Sequence, residues 1–171
     1  MSRADAPDDP VATVAAARAA AGSVCDPEVP VLTLADLGVL RSVDLAEDGH
    51  LVVTLTPTYS GCPAMDAIRA DVAQALADAG LTGAEVRMVA TPAWTTDWMS
   101  EEGKAKLAEA GIAPPGPVDR GPRAQAVALA PRCPRCGARE TRVLSPFGAT
   151  ACKALHVCRG CGEPFEGFKA L

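Results

Sequence analysis

Along this chain the spacing of apolar residues changes period several times, and each change predicts an element. VATVAAARAAAG reads as a helix with an alanine-rich, shallow face, Asp9 before Pro10 placed to cap it and Gly22 near its end. GVLRSVDL and LVVTLT are rich in β-branched residues and flank AEDGH, whose Asp-Gly is a turn signal, so they predict an antiparallel hairpin. In AMDAIRADVAQALADAG, Met65, Ile68, Val72, Leu76 and Ala79 recur three and four apart and predict a helix with one face on the sheet, ending at Gly80. AEVRMVA adds a strand, and SEEGKAKLAEAG a short helix begun at Ser100, with Glu101 and Glu102 favouring its N-terminal dipole. The expected fold class is α+β in two layers, without internal repeats.

The periodicity fades in PPGPVDRGPRAQAVALA, residues 114–130, which reads as a linker. The 171 residues, 49% hydrophobic and 22% charged, therefore divide into a disordered tail at 1–10, a domain at 11–113, the linker, and a small module at 131–171. Charge follows this division: residues 131–171 carry seven Lys/Arg against three Asp/Glu, leaving nine against eighteen for residues 1–130. No run of eighteen apolar residues occurs, and MSRADAPDDP lacks the basic start and apolar core of a signal peptide. A cytoplasmic protein with no membrane partner is expected. In a reducing compartment seven cysteines, an odd number, point to metal ligands or reactive thiols rather than disulfides.

Four of them make the strongest signal in the chain. CPRCG at 133–137 and CRGCG at 158–162 are two C-x-x-C knuckles, each followed by a glycine that permits the backbone to turn its amides toward sulfur. Cys133, Cys136, Cys158 and Cys161 could fill a closed tetrahedral shell, and a module with so few large apolar residues needs such a metal to fold. Zinc-ribbon spacing favours zinc; an iron–sulfur cluster is the alternative. Between the knuckles, Cys152 is either packed inside the ribbon or a spare thiol for metal exchange, and His156 reads as a surface residue. Arg132, Arg135, Arg139, Arg142, Lys153 and Arg159 give a positive face suited to an acidic protein partner. Nucleic acid is argued against by the acidic body, a pI near 5.0 and the lack of interleaved aromatics.

Two loops of the larger domain carry candidate chemistry. In TPTYSGCPAM, Pro63 suits a first helical position and would place Cys62 near unpaired N–H groups that lower a thiol pKa; the competing reading is a small buried hydrophobe. In SVCDPEVP, Pro27 and Pro30 stiffen the chain around Asp26 and Glu28, which are either hard metal ligands or turn caps. Trp94 and Trp98 form either a partner-binding platform or packed loop residues. A Cys62–His50 nucleophile pair is disfavoured because His50 falls in the predicted turn. The chain has neither paired Glu-x-x-His helices for a di-iron site nor a G-x-G-x-x-G fingerprint, so it is expected not to catalyse oxygen or hydride chemistry itself.

The series DPEVPVLTLADLGVL, VTLTPTYSGCPAMDAIRADVAQAL and TPAWTTDWMSEEGKAKLAEAGIAPP, spanning roughly 11–115, resembles the iron–sulfur cluster assembly domain family that includes SufT-like proteins. With the four-cysteine tail and SPFGATACKALHVC, the whole chain is similar to PaaD-type accessory subunits encoded with the bacterial phenylacetyl-CoA epoxidase, a ring 1,2-monooxygenase of aerobic phenylacetate degradation. The resemblance implies a small α+β assembly domain followed by a zinc ribbon. It implies that Cys62 and Asp26 handle iron or a cluster transiently, and that the partners are the oxygenase or reductase subunits, whose iron centre the protein helps to install or repair. Homo-oligomer formation is left open.

Overall fold

The structure is a computed structural model, and it describes residues 10–59, 61–118 and 130–171. Asp9, most of the expected N-terminal tail, and residues 119–129 of the expected linker lie outside the described residues. The chain divides into two compact units, one ending at Trp94 and the other running from Thr95 to Leu171.

The first unit contains helix α1 (Pro10–Gly22), a single-turn helix α2 (Leu34–Leu37), strands β1 (Leu40–Leu45) and β2 (Leu51–Leu55), helix α3 (Met65–Asp78) and strand β3 (Glu85–Met88). β1 and β2 form the expected antiparallel hairpin, and β3 joins the other side of β2 in parallel, with α3 as the crossover. α1 and α3 touch each other and the sheet, making the second layer. Ile68, Val72 and Leu76 are the buried face of α3, while Ala79, predicted to share that face, is exposed because the helix ends at Asp78. The core is mostly hydrocarbon: Leu32, Leu34, Leu37, Val39, Val53 and Leu55 are all at most 1% exposed, and the polar side chains of Asp26, Asp36 and Thr56 are buried as well.

α2 was not predicted. Thr33 accepts a hydrogen bond from Asp36 N–H at 3.1 Å while the Asp36 carboxylate accepts from Thr33 N–H at 2.9 Å, a reciprocal capping box. Its signature, Thr-x-x-Asp, was legible, but the prolines at 27 and 30 drew the whole stretch toward an extended reading.

The second unit contains a 3₁₀ turn at Thr96–Trp98, helix α4 (Glu101–Glu109), and the antiparallel sheet β4 (Thr141–Ser145), β5 (Lys153–Cys158), β6 (Pro164–Phe168) in that order. Ser100 caps α4 as predicted, accepting from Gly103 N–H at 2.9 Å. Residues 95–113 were expected to complete the first domain, yet they hydrogen-bond with the ribbon. Ala113 donates to Glu166 O at 2.8 Å and accepts from Phe168 N–H at 2.9 Å, and Thr96 N–H donates to Leu171 O at 3.0 Å. Extended backbone here is satisfied by the free side of β6, a pairing that local sequence cannot specify.

Among the described residues no helix is long and apolar enough to cross a membrane.

Candidate functional site

The two knuckles form matching turns at one end of the ribbon sheet. In the first, Gly137 N–H donates to Cys133 O at 2.8 Å and Cys133 N–H to Ala138 O at 2.9 Å. In the second, Gly162 N–H donates to Cys158 O and Cys158 N–H to Glu163 O, each at 3.0 Å. Both glycines have positive φ, 74° and 79°, which a side chain would strain. The consequence is convergence of four sulfurs: all lie within 4.8 Å of one another, with Cys133–Cys161 at 3.8 Å and Cys136–Cys158 at 3.5 Å.

A tetrahedral shell with metal–sulfur bonds of about 2.3 Å requires sulfur–sulfur edges of about 3.8 Å, close to those of Cys133–Cys161 and Cys136–Cys158, so the quartet is of the right size and donor type for a tetrahedral ion. The ionisation of the thiols points the same way. Backbone N–H groups, those of Cys161 and Gly160 foremost, bring Cys158 down to about 7 despite burial. At Cys136 the Ala138 N–H also favours the thiolate, but hydrogen bonding within the sulfur cluster prevails and pushes it up to about 12. A cation held at the centre of the quartet would favour the thiolate form of its sulfurs.

Cys152 and His156 are not part of this group. Cys152 is buried, its sulfur 3.0 Å from Thr150 Oγ1, which agrees with the packed reading and denies it the access a metal-exchange thiol needs. His156, expected at the surface, is 7% exposed with its ring stacked on Phe165 at 5.4 Å, and burial lowers its pKa. The alternation of β5 turns it inward, a pattern obscured because Lys153 and His156 share the buried set with Cys152, Ala154 and Cys158.

The second candidate lies in the first unit, where the loop after β2 meets the loop between α1 and α2. Asp26 is 7% exposed, and its Oδ1 accepts from Glu28 N–H at 2.8 Å and Val29 N–H at 2.9 Å, which makes it a turn cap. The loop then closes through Asp26 N–H to Leu32 O at 2.9 Å. Cys62 is half-buried and feels the charge of both carboxylates, but among the described residues only the four ribbon cysteines, and not Cys62 with Asp26 and Glu28, bring metal-ligating atoms together. The expected helix placement needs correction: α3 starts at Met65 with Ala64 as its cap, so Cys62 precedes it by three residues. Burial, reinforced by the charges of Glu28 and Asp26, pushes the thiol up, outweighing the Ala64 N–H and the Tyr59 hydroxyl, which favour the thiolate. The helix end therefore does not deliver the lowered pKa that its position suggested.

Tyr59 is a site residue that the sequence reading missed. As the chain's lone tyrosine, three residues before Cys62, it offered a signal in the quoted motif. With Pro57, Thr58, Ala90, Ala93 and Trp94 it lines a shallow cleft. Trp94 itself is 5% exposed and donates from Nε1 to Leu37 O at 2.9 Å, so it anchors the core of the first unit instead of facing a partner. Trp98 is half-buried and belongs to the second unit. His50 immediately precedes β2, whereas Cys62 lies in the loop after that strand ends at Leu55. It is engaged by Asp48 and Glu85, and no nucleophile pair forms.

Comparison with known proteins adds two family matches, two relatives and one solved structure. Residues 14–90 match the family model described as iron–sulfur cluster assembly protein, and residues 118–169 the PaaD zinc beta ribbon domain. An Escherichia coli protein whose name assigns it provisionally to 1,2-phenylacetyl-CoA epoxidase, as one of its subunits, is 45% identical over 85% of this chain and 86% of its own. An Fe–S protein maturation auxiliary factor of Porphyromonas gingivalis is 40% identical over 50% of this chain and 81% of its own. In structure, a Bacillus anthracis domain of unknown function superposes with a TM-score of 0.53 at 30% identity, covering 57% of this chain and 93% of that one.

Proposed function

This chain belongs to the PaaD family of phenylacetyl-CoA epoxidase subunits, an iron–sulfur assembly domain joined to a PaaD-type zinc ribbon, and on that premise we propose that it is an accessory maturation factor. In this reading it assists assembly or repair of an iron centre, di-iron or iron–sulfur, in the oxygenase or reductase of the epoxidase. The iron is cargo and the protein performs no turnover of its own.

The two sulfur sites divide the work. Cys133, Cys136, Cys158 and Cys161 hold a zinc ion, which supplies a closed structural node with no open coordination position. Cys62, with Glu28 and Asp26, receives the cargo in the first unit.

What supports this reading is a half-buried thiol whose ionisation is disfavoured first by burial and then by the charges of two carboxylates on a separate loop. Those charges disfavour a bare thiolate and favour a thiolate paired with a cation, so proton and metal compete for the same sulfur. A thiol kept protonated between deliveries resists oxidation and still binds iron when it arrives. The Tyr59 hydroxyl and Ala64 N–H steady the sulfur through either state.

Cys62→Ser, co-expressed with the epoxidase, tests the assignment. The variant is expected to fold and keep its ribbon metal while the partner's iron content and activity fall several-fold. Unchanged partner iron would remove the thiol from the mechanism.

A further inference from the structure

We propose that the tip of the ribbon, β4 with the SPFG turn that follows it, is the docking surface for a protein partner, and that Phe147 is its anchor. The inference rests on the maturation reading only for the identity of the partner; the surface is argued from the ribbon itself.

Val143, Leu144 and Phe147 are 56%, 44% and 65% exposed, three large apolar side chains within five residues. Such a cluster on a small module marks an interaction site more often than a solvated face. Among the described residues β4 pairs on one side only, with β5, and a bulge at Leu144 bends its free edge. The opposite edge of the same sheet already carries an added extended segment, since Ala113 bridges to Gly167 on β6. This sheet therefore accepts added strands, and one of its two edges is still open.

The turn that displays Phe147 is held rigid from below. Lys153, 6% exposed, pairs with Glu166 at 2.8 Å, and the other Glu166 oxygen accepts from Ala149 N–H at 2.6 Å. Gly148 passes so close that a Cβ there would stand 2.5 Å from that oxygen. Lys169 Nζ sits 4.4 Å from the centre of the Phe147 ring and is tied to Ala151 O at 2.8 Å. An exposed aromatic fixed in place before binding loses little entropy on docking, as an interface anchor requires.

Charge identifies the partner. Arg142 lies within β4 and Lys169 under the ring, on a module that, besides the paired Lys153 and Glu166, carries six basic residues against two acidic ones. The occupant that fits is a protein surface offering an extended edge, an apolar socket for Phe147 and carboxylates around it.

The test measures binding of the full-length, metal-loaded chain to the purified oxygenase and reductase components of a phenylacetyl-CoA epoxidase. Phe147→Ala and Arg142→Glu should each weaken binding at least tenfold, with metal content and circular dichroism unchanged. Val31→Ser, an exposed apolar position in the first unit, should bind as the parent does, and the parent's affinity should fall with salt. Binding of Phe147→Ala within twofold of the parent overturns the proposal. So does a parent that binds neither component, or a parent homodimer that Phe147→Ala dissociates, which would make the occupant a second copy. Cys62→Ser separates the two readings: it should bind normally, so lost binding in Phe147→Ala with undiminished client iron in Cys62→Ser would sink the cargo role and leave the docking surface standing.

Discussion

The two units solve the problem of holding a small fold together with different materials. In the first, leucine, isoleucine and valine from two helices and a sheet interlock, and Val53, Leu55, Val72 and Leu76 are wholly buried. In the second, the packed cluster at the base of the knuckles is Ala113, Cys133, Cys158 and Phe165 with Ala138 beside it, so half of its buried members are metal-ligand sulfurs. Hydrocarbon packing remains when a ligand leaves; a sulfur-centred interior does not. Dependence on metal should therefore be confined to one end of the chain.

The sharpest break in that comparison is Cys158→Ser. It removes a buried ligand and leaves a hydroxyl among three thiols, and binding free energies for structural zinc in small modules reach about 10–16 kcal/mol. The expected outcome is loss of the metal and rapid proteolysis within 131–171, while a core covering residues 10–94 survives digestion. A variant that keeps one equivalent of metal by elemental analysis and resists protease would show that the ribbon is held by something other than the quartet.

The reciprocal experiment is Leu76→Ala. Deleting a fully buried side chain from α3 should cost about 2–5 kcal/mol in denaturant unfolding of the first unit, with the spread set by how far the site collapses. Metal content should not change. A drop in bound metal would mean that the two units do not fold independently.

That contrast also explains what could be read from sequence. The four-cysteine site was legible because a metal shell is specified by residue type and local spacing alone, and two C-x-x-C knuckles with trailing glycines leave little else to decide. The hairpin and α3 were legible because their apolar periods are local too. What escaped depends on distant backbone: Ala113 joins β6, His156 turns inward on β5, and Trp94 reaches Leu37 O from fifty-seven positions away. The electrostatics of Cys62 escaped for the same reason. Its nearest sequence signal, Pro63 before a helix, argued for a lowered pKa, whereas the prevailing contributions come from burial and from Glu28 and Asp26, over thirty positions upstream.

The smallest expected effect lies at the opposite end of β2 from Cys62, where the first unit relies on charge instead of hydrocarbon. His50 Nδ1 contacts Asp48 Oδ1 and Nε2 lies 3.5 Å from Glu85, which Arg87 also pairs at 3.0 Å. The Asp48 hydrogen bond raises the His50 pKa above its usual 6.5, with Glu85 adding to it against some loss from burial, and His50 in turn lowers Asp48. Because the folded imidazolium is favoured, its contribution to stability is complete below 6.5 and disappears as pH rises through the elevated folded value; that of Asp48 disappears on the acid side. An NMR titration should find the His50 midpoint above 6.5, and Asp48→Asn should bring it down. The difference in thermal stability between parent and Asp48→Asn should be small, shrink toward alkaline pH and shrink again in high salt, because these groups are exposed. A midpoint at or below 6.5 that ignores the substitution would show that this network is a surface coincidence, leaving packed hydrocarbon as the whole account of the first unit.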